Sequence, residues 1–273
     1  MKTRWPVQSA STLSGSGHAS DTAPTLLITG SNRGIGLEFV RQYADLGWQV
    51  IATCRSPSAA DALQAIAKSA PQVSVAQLDL VDHATIEALA AELSGRPIDL
   101  LINNSSLLGD RDPQQLGAMD YDLFAESFAV NAIGHFKVIE TFLGHVRASH
   151  RKTIATLGST AASHGALRPP AGLHPYRAAK AALHMLIHNL ALDLAGSGVR
   201  LGLLNPGVVD TRGILDLGPD DPVPDPFVPL MAMIESGELH LIRPSEAVTA
   251  MIGIIDHLEE APALEFLNYD GSV

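Results

Sequence analysis

The stretch TLLITGSNRGIGLEFVRQYADL, residues 25–46, decides the fold. It starts with a short apolar run, passes through a turn with three glycines and continues with helical apolar spacing from Leu37 to Leu46. Glycine allows a tight turn and the close approach of a phosphate, and the free N–H groups at a helix start attract anions. This order predicts a pyrophosphate site, with an ordinary strand-to-helix turn as the alternative.

The rest of the chain repeats this alternation of apolar runs and helical segments. Strands that are apolar on both faces and are joined by helices belong to a parallel sheet that is covered on both sides. We therefore predict a single α/β domain with a doubly wound Rossmann fold, in which helices flank a seven-stranded, mainly parallel sheet. The predicted strands are residues 25–29, 49–53, 73–78, 98–102, 153–157, 199–204 and 264–267.

The composition excludes several classes of protein. The 273 residues are 46% hydrophobic and 17% charged, which is enough apolar material for a large core. A net charge of −11 argues against a nucleic-acid partner, and no apolar run is long enough to span a membrane. The single cysteine, Cys54, and the lack of a zinc-type Cys/His spacing indicate a reducing, cytoplasmic compartment and no metal.

The first 23 residues differ in composition from the rest. They contain five serines and two glycines, so they cannot bury enough surface to offset the entropy of ordering. No apolar stretch of the length that a secretory signal needs follows Lys2 and Arg4. We predict a flexible tail at residues 1–23 and one domain at residues 24–273, with an organellar transit segment as the alternative for the tail.

The end of the second predicted strand bears on the choice of nucleotide. NAD-binding proteins of this fold place a carboxylate there, about 20 residues after the glycines, to hold the ribose 2′-hydroxyl. This chain has Thr53, Cys54 and Arg55 instead, and Arg33 adds a cation from the glycine-rich turn. Guanidinium groups suit a 2′-phosphate, which predicts NADP(H), with a merely solvated Arg55 as the alternative. The predicted cofactor contacts here are Gly30, Ser31, Asn32, Arg33, Gly34, Ile35, Gly36 and Arg55.

Tyr176 and Lys180 are four residues apart near the start of a long helical stretch, so they share a helix face. A phenol has an ordinary pKa near 10, and lowering it by three units needs about 4 kcal/mol of preferential stabilisation of the phenolate. A neighbouring ammonium group supplies part of this stabilisation of the phenolate. The spacing alone is weak evidence for catalysis, because it is common by chance.

The order of the motifs resembles that of the short-chain dehydrogenase/reductase family, from about residue 24 to the C-terminus. The chain is more similar to one branch, the C-factor and sniffer type of carbonyl reductase, because of the long gap between Ser159 and Tyr176 and the ending FLNYDG at residues 266–271. The matching residues are Thr29, Gly30, Gly34, Ile35, Gly36, Asn103, Asn104, Asn131, Ser159, Tyr176, Lys180 and residues 206–211.

This resemblance implies an NADP-dependent oxidoreductase that interconverts carbonyl compounds and alcohols. Tyr176 would give its proton to the substrate carbonyl oxygen as hydride leaves the nicotinamide. Lys180 would lower the pKa of Tyr176 and hold the nicotinamide ribose. Ser159 would hydrogen-bond the substrate oxygen and stabilise its developing charge. Asn131 would hold a water that relays protons to Lys180.

The resemblance also implies cofactor contacts after the later strands, and the chain departs from the family at two places. Ser105 and Ser106 stand where the family has Ala-Gly, which predicts a stiffer or shifted loop and a changed cofactor affinity. Gly158 stands where a serine is common, a change that we expect to be tolerated. The implied contacts are Asp79, Leu80, Asn103, Tyr176, Lys180, Pro206, Gly207, Val209 and Thr211.

Residues 212–242 resemble the substrate lid of the family. Their apolar side chains suggest a hydrophobic carbonyl substrate, and their acidic side chains argue against an anionic one. The helical stretch at residues 178–195 is apolar or small on most faces, so we expect it to self-associate together with residues 121–145. We expect a homodimer or homotetramer, since dimers and tetramers are common in the family that the chain resembles.

Two other functions and a metal site are alternatives for this chain. A signalling protein of the C-factor type would bind NADPH with little turnover. A methyltransferase on a similar sheet would need an acidic ribose contact and has no use for Tyr176 and Lys180. His184 and His188 have the spacing of a helical zinc pair but no evident third ligand, so we expect packing or solvation instead of metal binding.

Overall fold

The computed structural model describes residues 23–167, 172–218, 221–223, 228, 231–258 and 264–273. The predicted tail lies outside the described residues except for Ala23, and so do parts of the predicted lid. The helices are α1 Gly34–Asp45, α2 Asp61–Ser69, α3 His83–Glu92, α4 Tyr121–Phe128, α5 His135–Arg147, α6 His174–Asp193, α7 Met231–Glu235 and α8 Pro244–Asp256. The strands are β1 Thr25–Ile28, β2 Gln49–Cys54, β3 Val73–Gln77, β4 Leu100–Asn103, β5 Thr153–Leu157, β6 Arg200–Asn205, β7 Val208–Val209, β8 Leu241–Ile242 and β9 Phe266–Asn268.

Seven strands form the main sheet, in the order β3-β2-β1-β4-β5-β6-β9. Every neighbouring pair is parallel. The order reverses between β1 and β4, and in open sheets of this kind ligands bind outside the carboxyl ends of the strands at that reversal. The predicted single α/β domain with a doubly wound sheet is confirmed.

Helices cover both faces of the sheet because successive side chains of each strand point to opposite sides. In β1, Leu26 and Ile28 belong to the core beneath α1 and α8, whereas Leu27 belongs to the core beneath α3, α5 and α6. Phe39 of α1 and Phe142 of α5 are fully buried on the two sides. This double coverage explains the continuous apolar runs of the strands.

The structure differs from the sequence-based expectation in two places. The helical run predicted at residues 121–145 is interrupted by a π-helical turn at Ala129–Gly134, between α4 and α5. Such turns are rare and occur frequently at functional sites. The other difference is a second sheet, in which β7, shortly before the predicted lid, pairs in parallel with β8 at the end of the lid. Strands of two residues have no periodicity that a sequence could reveal.

None of the helices in the described part of the chain combines the length and the apolar character that a membrane span requires.

A substitution at Gly36 tests how closely α1 approaches the glycine-rich turn. A Cβ atom at this position would collide with the carbonyl oxygen of Gly30, which is backbone and cannot swing aside. We expect Gly36→Ala to lower the free energy of unfolding by about 1–3 kcal/mol, the usual cost of overpacking. Thermal unfolding followed by circular dichroism measures the change.

Gly144→Ala is the matched control, because a Cβ at this position in α5 meets nothing within 4 Å. Alanine has the better helix propensity, so we expect this variant to be as stable as the wild type or up to about 1 kcal/mol more stable. Equal melting temperatures for the two variants would contradict the close approach at Gly36.

Candidate active site

The glycine-rich turn after β1 leaves the start of α1 open toward the carboxyl edge of the sheet. Ser31 is fully buried and its hydroxyl donates to the Ile28 carbonyl, so its side chain supports the turn. Asn32 and Arg33 are exposed. Among the described residues, no side chain caps the first turn of α1 and no acidic side chain lies in it. Its N–H groups and positive dipole end remain available to an anion.

Two arginines flank this turn. The N–H of Ser31 donates to the carbonyl of Thr53 over 2.9 Å, which holds the loop with Arg33 beside the loop with Arg55. Both arginine side chains are exposed, and neither forms an ion pair with a residue that the structure describes. A nucleotide with an additional phosphate on its ribose fits this pair of cations.

Further cofactor candidates follow β3, β4 and β7. Asn103 is fully buried, and its amide donates to the His135 carbonyl while its Oδ1 has no partner among the described residues. Asp79 is partly exposed, and its Oδ1 accepts from the Val81 N–H. A Cβ added at Gly34 would lie 3.0 Å from the Thr211 methyl group, so the segment after β7 reaches the glycine-rich turn. Of the remaining candidates, Leu80 and Val209 are buried, and Pro206 and Gly207 are partly buried.

Tyr176 and Lys180 both lie on α6 and face the end of β5. Lys180 is 2% exposed, and its ammonium group donates to the Leu157 carbonyl over 3.0 Å. Burial lowers the pKa of Lys180 to about 8. Burial also raises the pKa of Tyr176, and hydrogen bonds with the Ser159 and Ser106 hydroxyls oppose that shift without cancelling it. The expected effect of Lys180 on this pKa stays a prediction.

Ser159 follows β5 by two residues, and a histidine on α6 helps to position it. Its Oγ accepts from the Ala161 N–H, and its own N–H donates to Nε2 of His184 over 3.2 Å. Burial lowers the pKa of His184 to about 4, so the ring is neutral and Nε2 is free to accept. A Cβ at Gly158 would lie 2.5 Å from this Nε2, which explains why glycine replaces the serine common in the family.

Sequence reasoning missed this role of His184, which it considered only as part of a metal pair. His188 contacts the His184 carbonyl through Nδ1 at 2.8 Å. No group of three or more histidine, cysteine or acidic side chains is placed to hold a metal ion in the part of the chain that the structure describes. The glycine at residue 158, in place of the serine common in the family, was the one sequence feature that could have indicated a large side chain beside this position.

Asn131 lies in the π-helical turn and holds the loop after β4. Its Oδ1 accepts from the Leu107 N–H at 2.9 Å and from the Ser106 hydroxyl at 3.0 Å. Its amide donates to the Leu107 carbonyl at 2.7 Å and to the Ser127 hydroxyl at 3.1 Å. The side chain thus anchors this loop, and the expected water at Asn131 stays a prediction.

The same loop, residues 104–107, is tied to β1 and to α5. Thr29 Oγ1 accepts from the N–H groups of Asn104 and Ser105. The Ser105 carbonyl accepts from His135 Nε2 over 2.7 Å. Burial lowers the pKa of His135 to about 3, so this imidazole is neutral and carries its proton on Nε2. The serines that replace Ala-Gly therefore lie in a firmly held loop.

The start of the predicted lid is anchored by Asp210. Its carboxylate accepts from the N–H groups of Arg212, Ile214 and Leu215. Asp216, one of the acidic side chains expected to repel anions, pairs with Arg243 at 3.0 Å. This pair neutralises part of the charge on which that expectation depended. The lid residues Asp220, Asp225, Phe227 and Leu230 lie outside the described residues.

Comparison with known proteins gives matches over most of the chain. The family model described as short chain dehydrogenase matches residues 24–220. A 1-hydroxy-2-glutathionyl-2-methyl-3-butene dehydrogenase from Rhodococcus sp. (strain AD45) is 30% identical over 250 residues, which cover 91% of this chain and 97% of that protein. C-signal from Myxococcus xanthus is 30% identical over 188 residues, which cover 68% of this chain and 98% of C-signal.

Among solved structures, the NADPH-bound carbonyl reductase from chicken fatty liver superposes with a TM-score of 0.75. It is 28% identical, and the superposition covers 92% of this chain and 98% of that one. The similarity to C-signal and to a carbonyl reductase agrees with the branch that the motifs predicted. The strand order, the motif residues at the carboxyl edge and the family match lead to one conclusion: this chain belongs to the short chain dehydrogenase family.

Proposed function

We propose that the protein is an NADP(H)-dependent oxidoreductase that reduces aldehydes or ketones to alcohols and catalyses the reverse reaction. The observation that carries this proposal is the hydrogen bond from buried Lys180 to the Leu157 carbonyl, two residues before Ser159, with Tyr176 one helical turn before Lys180 on α6. An acid, a hydroxyl donor and an amine then lie together at the edge where this fold binds nucleotides.

Each side chain has a distinct task in the proposed reaction. NADPH, when bound, would supply hydride to the substrate carbonyl carbon. Tyr176 gives its phenolic proton to the substrate oxygen, and the Ser159 hydroxyl donates a hydrogen bond to that oxygen as its charge develops. Lys180 holds the nicotinamide ribose, and its positive charge favours the Tyr176 phenolate. Asn131 positions the loop that faces the phenol.

The preference for NADP(H) over NAD(H) is supported by Arg33 and Arg55. Their loops are joined by a backbone hydrogen bond, and no carboxylate stands at the end of β2 to select an unmodified ribose. The chicken carbonyl reductase, to which this chain is similar, has NADPH bound. Gly30, Gly34, Ile35 and Gly36 then lie along the pyrophosphate, with Ser31 supporting the turn.

We further propose a hydrophobic substrate, a cytoplasmic location and a homodimer or homotetramer. The apolar residues of the predicted lid support a hydrophobic substrate, and the single buried cysteine agrees with a cytoplasmic location. Tyr121 of α4 is 77% exposed, and Met185 and Leu192 of α6 are 71% and 75% exposed. These apolar side chains support association through α4, α5 and α6.

A second candidate is a signalling protein that binds NADPH with negligible turnover, which the similarity to C-signal favours. The two candidates share the nucleotide site and differ in whether Tyr176 transfers protons. Turnover of purified protein with NADPH and a panel of aromatic aldehydes and diketones distinguishes them.

Tyr176→Phe removes the proposed proton donor and leaves the ring in place. We expect this variant to lose carbonyl reduction by about 10²-fold or more, because general acid catalysis contributes at least that much. NADPH binding, followed by fluorescence enhancement of the nucleotide, serves as the control for folding and is expected to persist. Reduction at the wild-type rate would refute the assigned mechanism.

Arg33→Ala and Arg55→Ala each remove a cation from the expected 2′-phosphate site. A hydrogen bond to a charged group contributes about 1.5–3 kcal/mol, so each change is expected to raise KM for NADPH about tenfold or more, with KM for NADH little changed. Arg41→Ala is the control, since Arg41 lies on α1 and pairs with Glu38. Equal use of NADPH and NADH by the wild type would contradict these roles.

Met185→Glu combined with Leu192→Glu places charges on the exposed face of α6. We expect this double variant to elute as a smaller species than the wild type in size-exclusion chromatography with light scattering. Leu116→Glu is the control, because Leu116 is 93% exposed but lies on none of these helices. A wild-type protein that is monomeric at micromolar concentration would contradict the proposed association.

A further inference from the structure

The end of β5 is joined to α6 by two hydrogen bonds of opposite direction. The ammonium group of Lys180 donates to the Leu157 carbonyl over 3.0 Å, and the N–H of Ser159 donates to Nε2 of His184 over 3.2 Å. Lys180 and His184 are four residues apart on α6, so they reach the strand from one face of the helix. Two backbone groups at the end of this strand are therefore tied to the same helix.

The Ser159 N–H needs this partner because it lies beyond the sheet ladder. The ladder between β5 and β6 ends at the pair Leu157 and Leu204, and the N–H of Gly158 still donates to the Leu204 carbonyl over 2.8 Å. The next N–H along the chain, that of Ser159, has left the strand, and a side chain has to supply its acceptor. His184 does so from the helix that also carries Tyr176.

The direction of the Ser159 hydroxyl depends on the same backbone. Ser159 is in an extended conformation, with φ of −161° and ψ of 142°, and its Oγ accepts from the Ala161 N–H over 3.1 Å. That bond uses a lone pair of the oxygen and leaves the O–H proton for a substrate oxygen. Since the backbone at Ser159 sets the direction of its Cα–Cβ bond, the hydrogen bond to His184 also fixes where this O–H lies.

The imidazole of His184 is itself held in place. Its ring packs against Phe266 of β9, with the ring centroids 4.5 Å apart. A Cβ at Gly158 would lie 2.5 Å from Nε2, so the glycine leaves the space that the ring occupies. Burial lowers the pKa of His184 to about 4, and the neutral ring accepts through Nε2 with its proton on Nδ1. The acceptor is thus in place before a substrate binds.

We propose that His184 is a positioning residue for the Ser159 hydroxyl, which it aims at the substrate oxygen by holding the Ser159 N–H. This role rests on the proposed function, because it takes Ser159 as the donor to the substrate oxygen. His184 has no proton to transfer in it, and none of its covalent bonds forms or breaks. Misdirecting the hydroxyl removes a hydrogen bond to charge that develops in the transition state, so the loss falls on kcat more than on KM.

The first test is reduction of an aromatic aldehyde with NADPH by variants of the full-length protein. His184→Leu removes the acceptor and keeps an apolar side chain against Phe266. We expect its kcat to fall about 10- to 100-fold, the range for misplacing or losing such a donor, with KM changed less than about twofold. His184→Gln can bring an amide oxygen near the position of Nε2, and we expect it to keep kcat within about threefold of the wild type.

His188→Leu is the matched control. His188 is the next histidine on α6, is exposed and contacts the His184 carbonyl instead of the end of β5. We expect this variant to keep the wild-type kcat, and all three variants to bind NADPH as the wild type does.

A double-mutant cycle with Ser159→Ala separates positioning from a general structural role. When His184 acts through the Ser159 hydroxyl, adding His184→Leu to Ser159→Ala lowers kcat no further. A second fall by the same factor as in the wild-type background would overturn the proposal. So would a wild-type kcat in His184→Leu.

Exchange of the Ser159 amide proton with heavy water reports on the same hydrogen bond without turnover. In protein labelled isotopically at the serine nitrogens, its resonance is the one that Ser159→Ala removes. We expect exchange about tenfold faster in His184→Leu, as for loss of one hydrogen bond, and at the wild-type rate in His184→Gln and His188→Leu. An unchanged rate in His184→Leu, with wild-type circular dichroism, contradicts the proposal. A wild type without turnover would instead refute the proposed function, while the exchange rate still decides whether His184 holds Ser159.

Discussion

The inner strands of the main sheet, β2, β1, β4, β5 and β6, are covered on both faces, and this constraint determines how the candidate site is built. Where a strand ends, backbone groups lose their ladder partners while still lying away from water, so side chains must replace those partners. Thr29 does so after β1 by accepting from two N–H groups of the loop that follows β4. In the opposite direction, the side-chain amide of Asn104 donates to the carbonyls of Thr29 and Gly30. The hydrogen bonds that join the loops at this edge of the sheet thus satisfy buried backbone groups.

Burial also sets the protonation of the groups around Tyr176. His135 and His184 are held neutral well below their ordinary pKa, and each then has one nitrogen that donates and one that accepts. His135 uses its donor on the loop after β4, and His184 uses its acceptor on the backbone of Ser159. Both imidazoles are therefore fixed structural partners across the physiological pH range. Neither imidazole is then free to change its charge, and the proposed function assigns proton transfer to the phenol of Tyr176.

The fold was accessible from the sequence because double coverage produces continuous apolar strands, and all seven predicted strands occur within two residues of their expected ends. The helical period likewise placed Tyr176 and Lys180 on one face without knowledge of the fold. The bonds of His184 to Ser159 and of Asn131 to Leu107 were not accessible, because each joins residues about 25 positions apart that only tertiary packing brings together. For the same reason, the sequence suggested only a changed cofactor affinity at Ser106, whereas the structure shows a hydrogen bond from its hydroxyl to Asn131.

The short pairing of β7 with β8 separates changes in the segment between these strands from changes in the main sheet. It brings the start and the end of the intervening segment together beside the nucleotide edge, so this segment leaves and returns to the sheet at one point. Closing a longer loop costs little additional entropy, because the cost rises only with the logarithm of its length. Insertions and deletions between the two strands would leave the register of the main sheet and the position of Tyr176 intact. If this segment covers the substrate, as the proposed function has it, then exchanging the segment changes the substrate range and leaves the chemistry beneath it unchanged.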